Sequence, residues 1–120
     1  MKNMVEHKQI NFNIKARALT VNKAWQGRRF KTKEYESFEK EVMYQLPKMQ
    51  VKGEVEMSYK FRLKNYAITD VSNLLKCLED IIVKAGLIED DRKVVKIIAE
   101  KMKNNDESIQ ILIKQYEKNN

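Results

Sequence analysis

Residues 54–64, EVEMSYKFRLK, alternate between apolar and polar side chains without a break. The apolar positions are Val55, Met57, Tyr59, Phe61 and Leu63. Successive side chains of a β-strand point to opposite faces, whereas successive side chains of a helix are turned by about 100°. This segment therefore predicts a strand that buries one face, and the remaining elements have to cover that face.

Three other segments also predict strands. In QINFNIKA, Ile10, Phe12 and Ile14 alternate with polar residues. Residues 93–103, KVVKIIAEKMK, and 108–116, SIQILIKQY, favour strands as well, and the turn-prone NNDE joins them. LTVNKAWQGRRFKTK, which begins at position 19, has no regular period and is predicted to form a basic, aromatic loop.

Two segments have helical spacing. The first runs from Thr32, a predicted N-cap, to Pro47, which ends it. The second follows Asp70–Ser72 and ends at Gly86, where a left-handed glycine commonly follows the last helical turn. The order of elements is thus β-α-β-α-β-β. It predicts a single α+β domain over residues 1–120, with two helices packed on a mixed four-stranded sheet.

Charge is distributed unevenly along the chain. Residues 1–66 carry 15 Lys and Arg against 7 acids, a net charge of +8, whereas residues 67–120 carry 9 against 10, a net charge of −1. The basic half favours a polyanionic partner, although a soluble basic surface without any partner has the same composition. The single Cys77 excludes an intramolecular disulfide, and no segment is typical of a signal peptide or a membrane span. We therefore expect a cytoplasmic protein that does not bind a membrane.

The acidic residues concentrate in residues 70–91, DVSNLLKCLEDIIVKAGLIEDD, which hold four of the five aspartates and have a net charge of −4. If the helix starts at Ser72, Lys76 and Glu79 lie within about 40° of it and Asp80 within about 80°. Asp90 and Asp91 follow Gly86, and they approach this face only if the chain turns back there. Several carboxylates on short elements suit Mg²⁺, which binds one or two carboxylates, waters and phosphate oxygens.

The same residues also have simpler explanations. Asp70 has the position of a helix N-cap, Lys76 and Asp80 have the spacing of an ordinary i,i+4 ion pair, and Glu89–Asp91 have the composition of a solvated turn. From the residues alone, the metal site and these structural roles both stay open.

The segment DVSNLLKCLEDIIVKAGLIEDDRKV resembles the core signature of the RusA family of Holliday-junction resolvases. The family pattern is approximately D-x-D-N-x-x-K-x-x-x-D-x-L, a glycine followed by a hydrophobic turn, and D-D-x-x-V/I. The residues in register are Asp70, Asn73, Lys76, Asp80, Gly86, Asp90, Asp91 and Val94. The upstream TVNKAWQGRRFKTKEYESFEKEV is similar to the loop and helix at the start of that family, so the resemblance covers nearly the whole chain.

The resemblance implies a homodimer that binds branched DNA, namely four-way junctions, and nicks two strands symmetrically with Mg²⁺. It implies catalytic roles for Asp70, Lys76 and Asp91, with Asp70 and Asp91 as metal ligands, Asp90 beside them and Lys76 at the phosphate. It also implies the cytoplasm of a bacterial or phage-infected cell. The predicted DNA-binding residues are Asn22, Lys23, Trp25, Arg28, Arg29, Lys31, Asn73 and Lys76.

One departure from the family pattern concerns the metal. Ser72 stands where the family has its second aspartate, and a hydroxyl is a weak, neutral ligand for Mg²⁺. Ser72, Glu79 and Asp80 are therefore further candidate ligands, although Glu79 would lie about 10.5 Å from Ser72 along a regular helix. Two alternatives to the nuclease follow. One is a non-catalytic protein of the same fold that binds branched or single-stranded DNA, and the other is a basic protein that binds a protein partner through its sheet.

Overall fold

The computed structural model describes residues 5–26 and 30–117. Its strands and α-helices are β1 (Val5–Glu6), β2 (Gln9–Ile14), α1 (Val21–Ala24), β3 (Trp25–Gln26), β4 (Phe30–Lys31), α2 (Lys33–Gln45), β5 (Met49–Gln50), β6 (Val55–Leu63), α3 (Leu75–Ala85), β7 (Val94–Lys103) and β8 (Ser108–Gln115). Three 3₁₀ turns lie at Tyr66–Ile68, Val71–Leu74 and Asp91–Lys93.

The four long strands form one mixed sheet in the order β2-β8-β6-β7. β8 is antiparallel to both of its neighbours, whereas β6 and β7 are parallel. Because parallel neighbours need a crossover connection, α3 lies between β6 and β7 in the chain. The predicted α+β class and the mixed four-stranded sheet are confirmed. β7 and β8 follow each other in sequence without pairing, since β6 lies between them.

The core lies between one face of the sheet and the two longer helices. All five apolar side chains of β6 are buried, and its intervening side chains are only partly covered, which confirms the predicted alternation. From the helices, the core receives Tyr35, Phe38, Val42, Cys77, Leu78, Ile81 and Ile82. Burying an aliphatic or aromatic side chain of this size contributes about 1.5–3 kcal/mol. The face of the sheet away from the helices stays accessible, and we call it the open face.

Both predicted helix ends have the expected local chemistry. Thr32 Oγ1 accepts a hydrogen bond from the Tyr35 amide at 3.1 Å, so Thr32 is the N-cap of α2, and the helix ends before Pro47. Gly86 follows α3 with φ of 87°, a left-handed conformation that a side chain disfavours, and its N–H donates to carbonyls of the last turn.

Two parts of the chain differ from the sequence-based prediction. The predicted loop contains α1 and a short antiparallel pair between β3 and β4, held by hydrogen bonds from Thr32 to the carbonyls of Lys23 and Ala24. These elements are too short to show a hydrophobic period. The second helix begins with the tighter 3₁₀ turn Val71–Leu74, so side-chain directions counted from Ser72 at the α-helical angle do not apply to it.

Candidate active site

The ammonium of Lys76 lies between two carboxylates. Its Nζ is 3.0 Å from Asp80 Oδ1, one turn along α3, and 3.8 Å from Asp91 Oδ2, which belongs to the turn after the helix. The chain therefore does turn back after Gly86, the condition for Asp91 to approach the helix. We call Lys76, Glu79, Asp80 and Asp91 the acidic cluster.

Buried residues of the connection bring Asp91 to that position. Leu87 and Ile88 are almost fully buried, and the Val51 amide donates to the Leu87 carbonyl at 2.9 Å. Val51 also forms a parallel bridge with Ile88. The segment after α3 is thus anchored to the core at Leu87 and Ile88, just before Asp90 and Asp91. This anchoring brings Asp91, although exposed, to the polar face of α3.

The members of the acidic cluster act on one another electrostatically. The hydrogen bond to Asp80 raises the pKa of Lys76, and the charges of Asp91 and Glu79 act in the same direction. Burial raises the pKa of Glu79, and the negative charges of Asp91 and Asp80 add to that rise while Lys76 opposes it. Two carboxylates thus contact the Lys76 ammonium and the charge of a third, Glu79, acts on it, so an additional cation would relieve the remaining repulsion.

Glu79 is the member of the cluster whose charge acts on a residue of the sheet. Burial raises the pKa of Tyr59 on β6, and the charge of Glu79 raises it further. The Tyr59 hydroxyl is buried without a hydrogen-bond partner in the described part of the chain. Cys77, next to Lys76 in sequence, is also buried, and burial raises the pKa of its thiol, so it does not have the character of a nucleophile.

Asp90 is engaged locally. Its Oδ1 accepts from the Arg92 amide at 3.0 Å, and its Oδ2 lies 3.0 Å from the Arg92 guanidinium. These hydrogen bonds from Arg92, with one from Asp91, hold the pKa of Asp90 well below its usual range. Asp90 is thus the N-cap of the turn Asp91–Lys93.

Asp70 and Ser72 lie at the N-terminal end of α3, Asp70 directly before the turn Val71–Leu74 and Ser72 within it, and both are exposed. The backbone carbonyl of Asp70 accepts from the Asn73 amide at 3.1 Å, but its carboxylate makes no capping hydrogen bond. The explanation of Asp70 as a side-chain cap is therefore wrong. Lys101 of β7 donates to the carbonyls of Tyr66 and Thr69, which fixes the segment just before Asp70 against the sheet.

The carboxylates of this region supply the oxygen donors that a hard cation binds. Among residues 5–26 and 30–117, no group of three or more His, Cys, Asp or Glu side chains converges as a metal site. The position between Asp80 and Asp91 is held by the Lys76 ammonium, itself a cation in contact with two carboxylates. Carboxylate oxygens are the ligands that Mg²⁺ prefers, so the donor set fits that ion.

Some predicted DNA-binding residues are exposed and others pack on the core. Asn22 and Lys23 are exposed on α1. Trp25 is half-buried, with its ring edge-on to Tyr35 at a centroid distance of 5.4 Å. Lys31 lies over the Tyr35 ring and pairs with Glu39 at 3.3 Å. Arg28 and Arg29 lie outside the described residues, and Asn73 is half-buried.

An open cavity of about 550 Å³ lies between the start of α2 and the segment that leads to Asp70. Lys23 lines it together with Arg17, Lys33, Asn65 and Thr69. No sequence pattern pointed to Arg17, Lys33 or Asn65, and the only signal for Thr69 was its position directly before Asp70. Glu34, Glu41 and Glu107 also line the cavity, so its three basic and three acidic side chains balance.

Comparison with known proteins identifies one family. Residues 11–114 match the family described as endodeoxyribonuclease RusA, which is the resemblance expected from the signature around Asp70 and Asp91. None of the curated proteins matches the chain. In the described ranges, the helices are too short or too polar to cross a membrane.

Proposed function

Because the chain belongs to the RusA family of endodeoxyribonucleases, we propose that it is a Mg²⁺-dependent endonuclease that resolves four-way DNA junctions by paired, symmetric nicks. The observation that supports this for the present chain is the acidic cluster, in which Asp80 and Asp91 contact one cationic group from two separate elements.

Within this proposal, Asp91 and Asp70 are the principal metal-binding carboxylates. Asp91 contacts Lys76 within the cluster, and Asp70 is exposed with a carboxylate that is not used for capping. Asp90 positions the turn that carries Asp91, through its hydrogen bonds to Arg92. Asp80, Glu79 and Ser72 are further candidates, and burial raises the pKa of Glu79 among them.

Mg²⁺ bound by these carboxylates would supply positive charge at the attacked phosphate and at the leaving oxygen. Lys76 would hold the cluster together in the free protein, and it would then contact a phosphate oxygen once a metal neutralises Asp80 and Asp91. The hydrogen bond to Asp80 raises the pKa of Lys76, which keeps it protonated in the free protein.

The basic half of the chain would bind the phosphate backbone of the junction. Lys23 and Asn22 support this because they are exposed on α1, and Lys23 lines the cavity that reaches Thr69, the residue before Asp70. Two symmetric nicks in a two-fold symmetric substrate require two sites related by a two-fold axis, so we propose that the protein acts as a homodimer.

A second candidate function is binding of branched DNA without cleavage. Two observations favour it: Ser72 replaces an aspartate of the family pattern, and no three carboxylates converge in the described part of the chain. In that protein, Lys76 would permanently neutralise Asp80 and Asp91, and the basic residues would still bind phosphate.

The test uses a synthetic four-way junction, labelled on each strand in turn, with either Mg²⁺ or a chelator, and a linear duplex with the sequence of two arms as control. We expect nicks at symmetric positions on two opposing strands of the junction, only with Mg²⁺, on a denaturing gel. Equal cleavage in chelator would contradict the metal dependence. Junction binding on a native gel with no cleavage at any Mg²⁺ concentration would favour the second candidate.

A further inference from the structure

β7 is an edge strand with an exposed apolar surface. In the described part of the chain it pairs only with β6, so the backbone groups along its other side have no strand partner. The side chains of Val95, Ile97, Ile98 and Met102 have exposed fractions of 42%, 44%, 47% and 40%. A long apolar edge strand is a template for pairing with another chain, and proteins usually cover or interrupt it.

The charged residues of β7 have a self-complementary order. Lys96 and Glu100 lie two residues before and two residues after Ile98, and all three side chains are on the open face of the sheet. Within the chain, Lys96 lies 3.8 Å from Glu56 and Glu100 lies 3.6 Å from Lys60. The segment KIIAE therefore presents a cation at one end, an anion at the other and an isoleucine at its centre.

We propose that two copies of this chain pair antiparallel through β7, about a two-fold axis at Ile98, and join their sheets into one sheet of eight strands. Lys96 then lies opposite Glu100 of the partner subunit at both ends, and Ile98 lies opposite the partner's Ile98. This inference rests on the homodimer of the proposed function, and it names the surface through which that dimer forms.

The charges select this register over its neighbours. A two-fold axis perpendicular to the sheet keeps the open faces of both copies on the same side. Such an axis lies midway between the two copies of one residue of β7, and we name it by that residue. With the axis at Lys96 or at Glu100, two identical charges would face each other, which is destabilising. With the axis at Ile97 or Ala99, Lys96 would face an apolar side chain of the partner subunit. Among the residues of β7, only the axis at Ile98 places opposite charges across the interface.

Neighbouring strands extend the same pattern. In the proposed dimer, a row across the open face reads Lys60, Glu100, the partner's Lys96 and the partner's Glu56, with alternating sign. Lys114 of β8 lies 3.9 Å from Glu56 and continues the alternation inside each protomer. Opposite charges that face each other across strands stabilise a sheet. The interface thus continues an arrangement that already exists within each chain.

The test is the molar mass of the purified full chain in solution, by sedimentation over a range of concentrations, for wild type, Lys96→Glu and Glu100→Lys. Each variant places like charges at both ends of the interface, and we expect it to raise the dimer dissociation constant by about tenfold or more. An equimolar mixture of the two variants should restore dimers, because the two glutamates of one chain then face the two lysines of the other.

The mixture distinguishes a loss of charge pairing between the two subunits from a loss of contacts within one chain. Each variant also loses a contact with Glu56 or Lys60, but that loss is the same alone and in the mixture. Lys48→Glu, an identical charge change at an exposed lysine off the sheet, is the matched control and should remain dimeric. A monomeric wild type at all concentrations, or variants that remain dimeric alone and do not gain from mixing, would overturn the proposal. The masses are measured without DNA, so they are independent of the junction-cleavage test.

Discussion

Two 3₁₀ turns flank α3, and each begins after an aspartate in an extended conformation. Asp70 precedes Val71–Leu74 with φ of −84°, and Asp90 precedes Asp91–Lys93 with φ of −166°. The Asp90 carboxylate caps its turn and pairs with Arg92, whereas the Asp70 carboxylate makes no cap. Aspartate at the same local position therefore has a structural role in the turn after Asp90, whereas in the turn after Asp70 its carboxylate is available for a ligand.

The two aspartates differ because of the residue two positions after each, Arg92 after Asp90 and Ser72 after Asp70. Arg92 offers both its amide and its guanidinium to Asp90, but Ser72 offers Asp70 no cation. In the second turn, the carboxylate that faces the acidic cluster is Asp91, 3.8 Å from Lys76. We therefore expect Asp70 and Asp91 to carry the chemistry, and Asp90 to hold Asp91 in place.

The largest effect is expected for Asp91→Asn. An amide of the same shape removes one anionic ligand, so cleavage of a four-way junction with Mg²⁺ should fall by roughly two orders of magnitude or more. Junction binding on a native gel and the melting temperature should stay close to wild type, since Asp91 is exposed. Asp106→Asn, at an exposed aspartate between β7 and β8, is the matched control. Wild-type cleavage by Asp91→Asn would remove Asp91 from the site.

The next largest effect is the difference in cleavage between Asp70→Asn and Asp90→Asn, which compares the two turns directly. We expect Asp70→Asn to lower the cleavage rate by tenfold or more, which is a loss of about 1.4 kcal/mol or more of transition-state stabilisation, without a change in melting temperature. Asp90→Asn should retain most of the cleavage, because asparagine caps a turn about as well as aspartate. If Asp90→Asn were the more damaging in single-turnover cleavage, the assignment of roles to the two turns would be wrong.

A smaller effect is expected for Ser72→Asp, which gives the first turn a second carboxylate. Ser72 is exposed, so the added charge should cost little stability and should lower the Mg²⁺ concentration needed for half-maximal cleavage. If the wild type does not cut, we expect this variant to cut, which would support the non-catalytic alternative. A slower reaction in Ser72→Asp, together with a severe loss in Glu79→Gln, would instead place the metal nearer Glu79.

The smallest effect is expected for Arg92→Ala. The exposed ion pair with Asp90 is lost, but the alanine amide still donates the capping hydrogen bond to the Asp90 carboxylate, and exposed ion pairs contribute little. Melting temperature and junction cleavage should therefore stay within experimental error of wild type. A clear gain in Mg²⁺ affinity, measured by calorimetry, would mean that the pair with Arg92 withholds Asp90 from the metal, and the two turns would then be alike.

Local patterns were sufficient for much of the fold and for the family. Thr32 and Pro47 mark the limits of α2 because capping and the missing proline amide act within one turn of the chain. The alternation of β6 predicted its buried face correctly, since the face on which a side chain lies depends only on whether its position in the strand is odd or even. The signature around Lys76 likewise identified the family that residues 11–114 match.

The sequence by itself thus determined which residues form the long elements, which faces they bury and which family the chain belongs to, because propensity, period, capping and the family signature act over short stretches of residues. Only the tertiary structure decided that β8 lies between β2 and β6, that β7 is left at the edge, and that Asp91 meets Lys76. Those outcomes depend on burying Leu87 and Ile88 and on pairing strands distant in sequence. Such contacts are set by the packing of the whole core, and no local pattern records them.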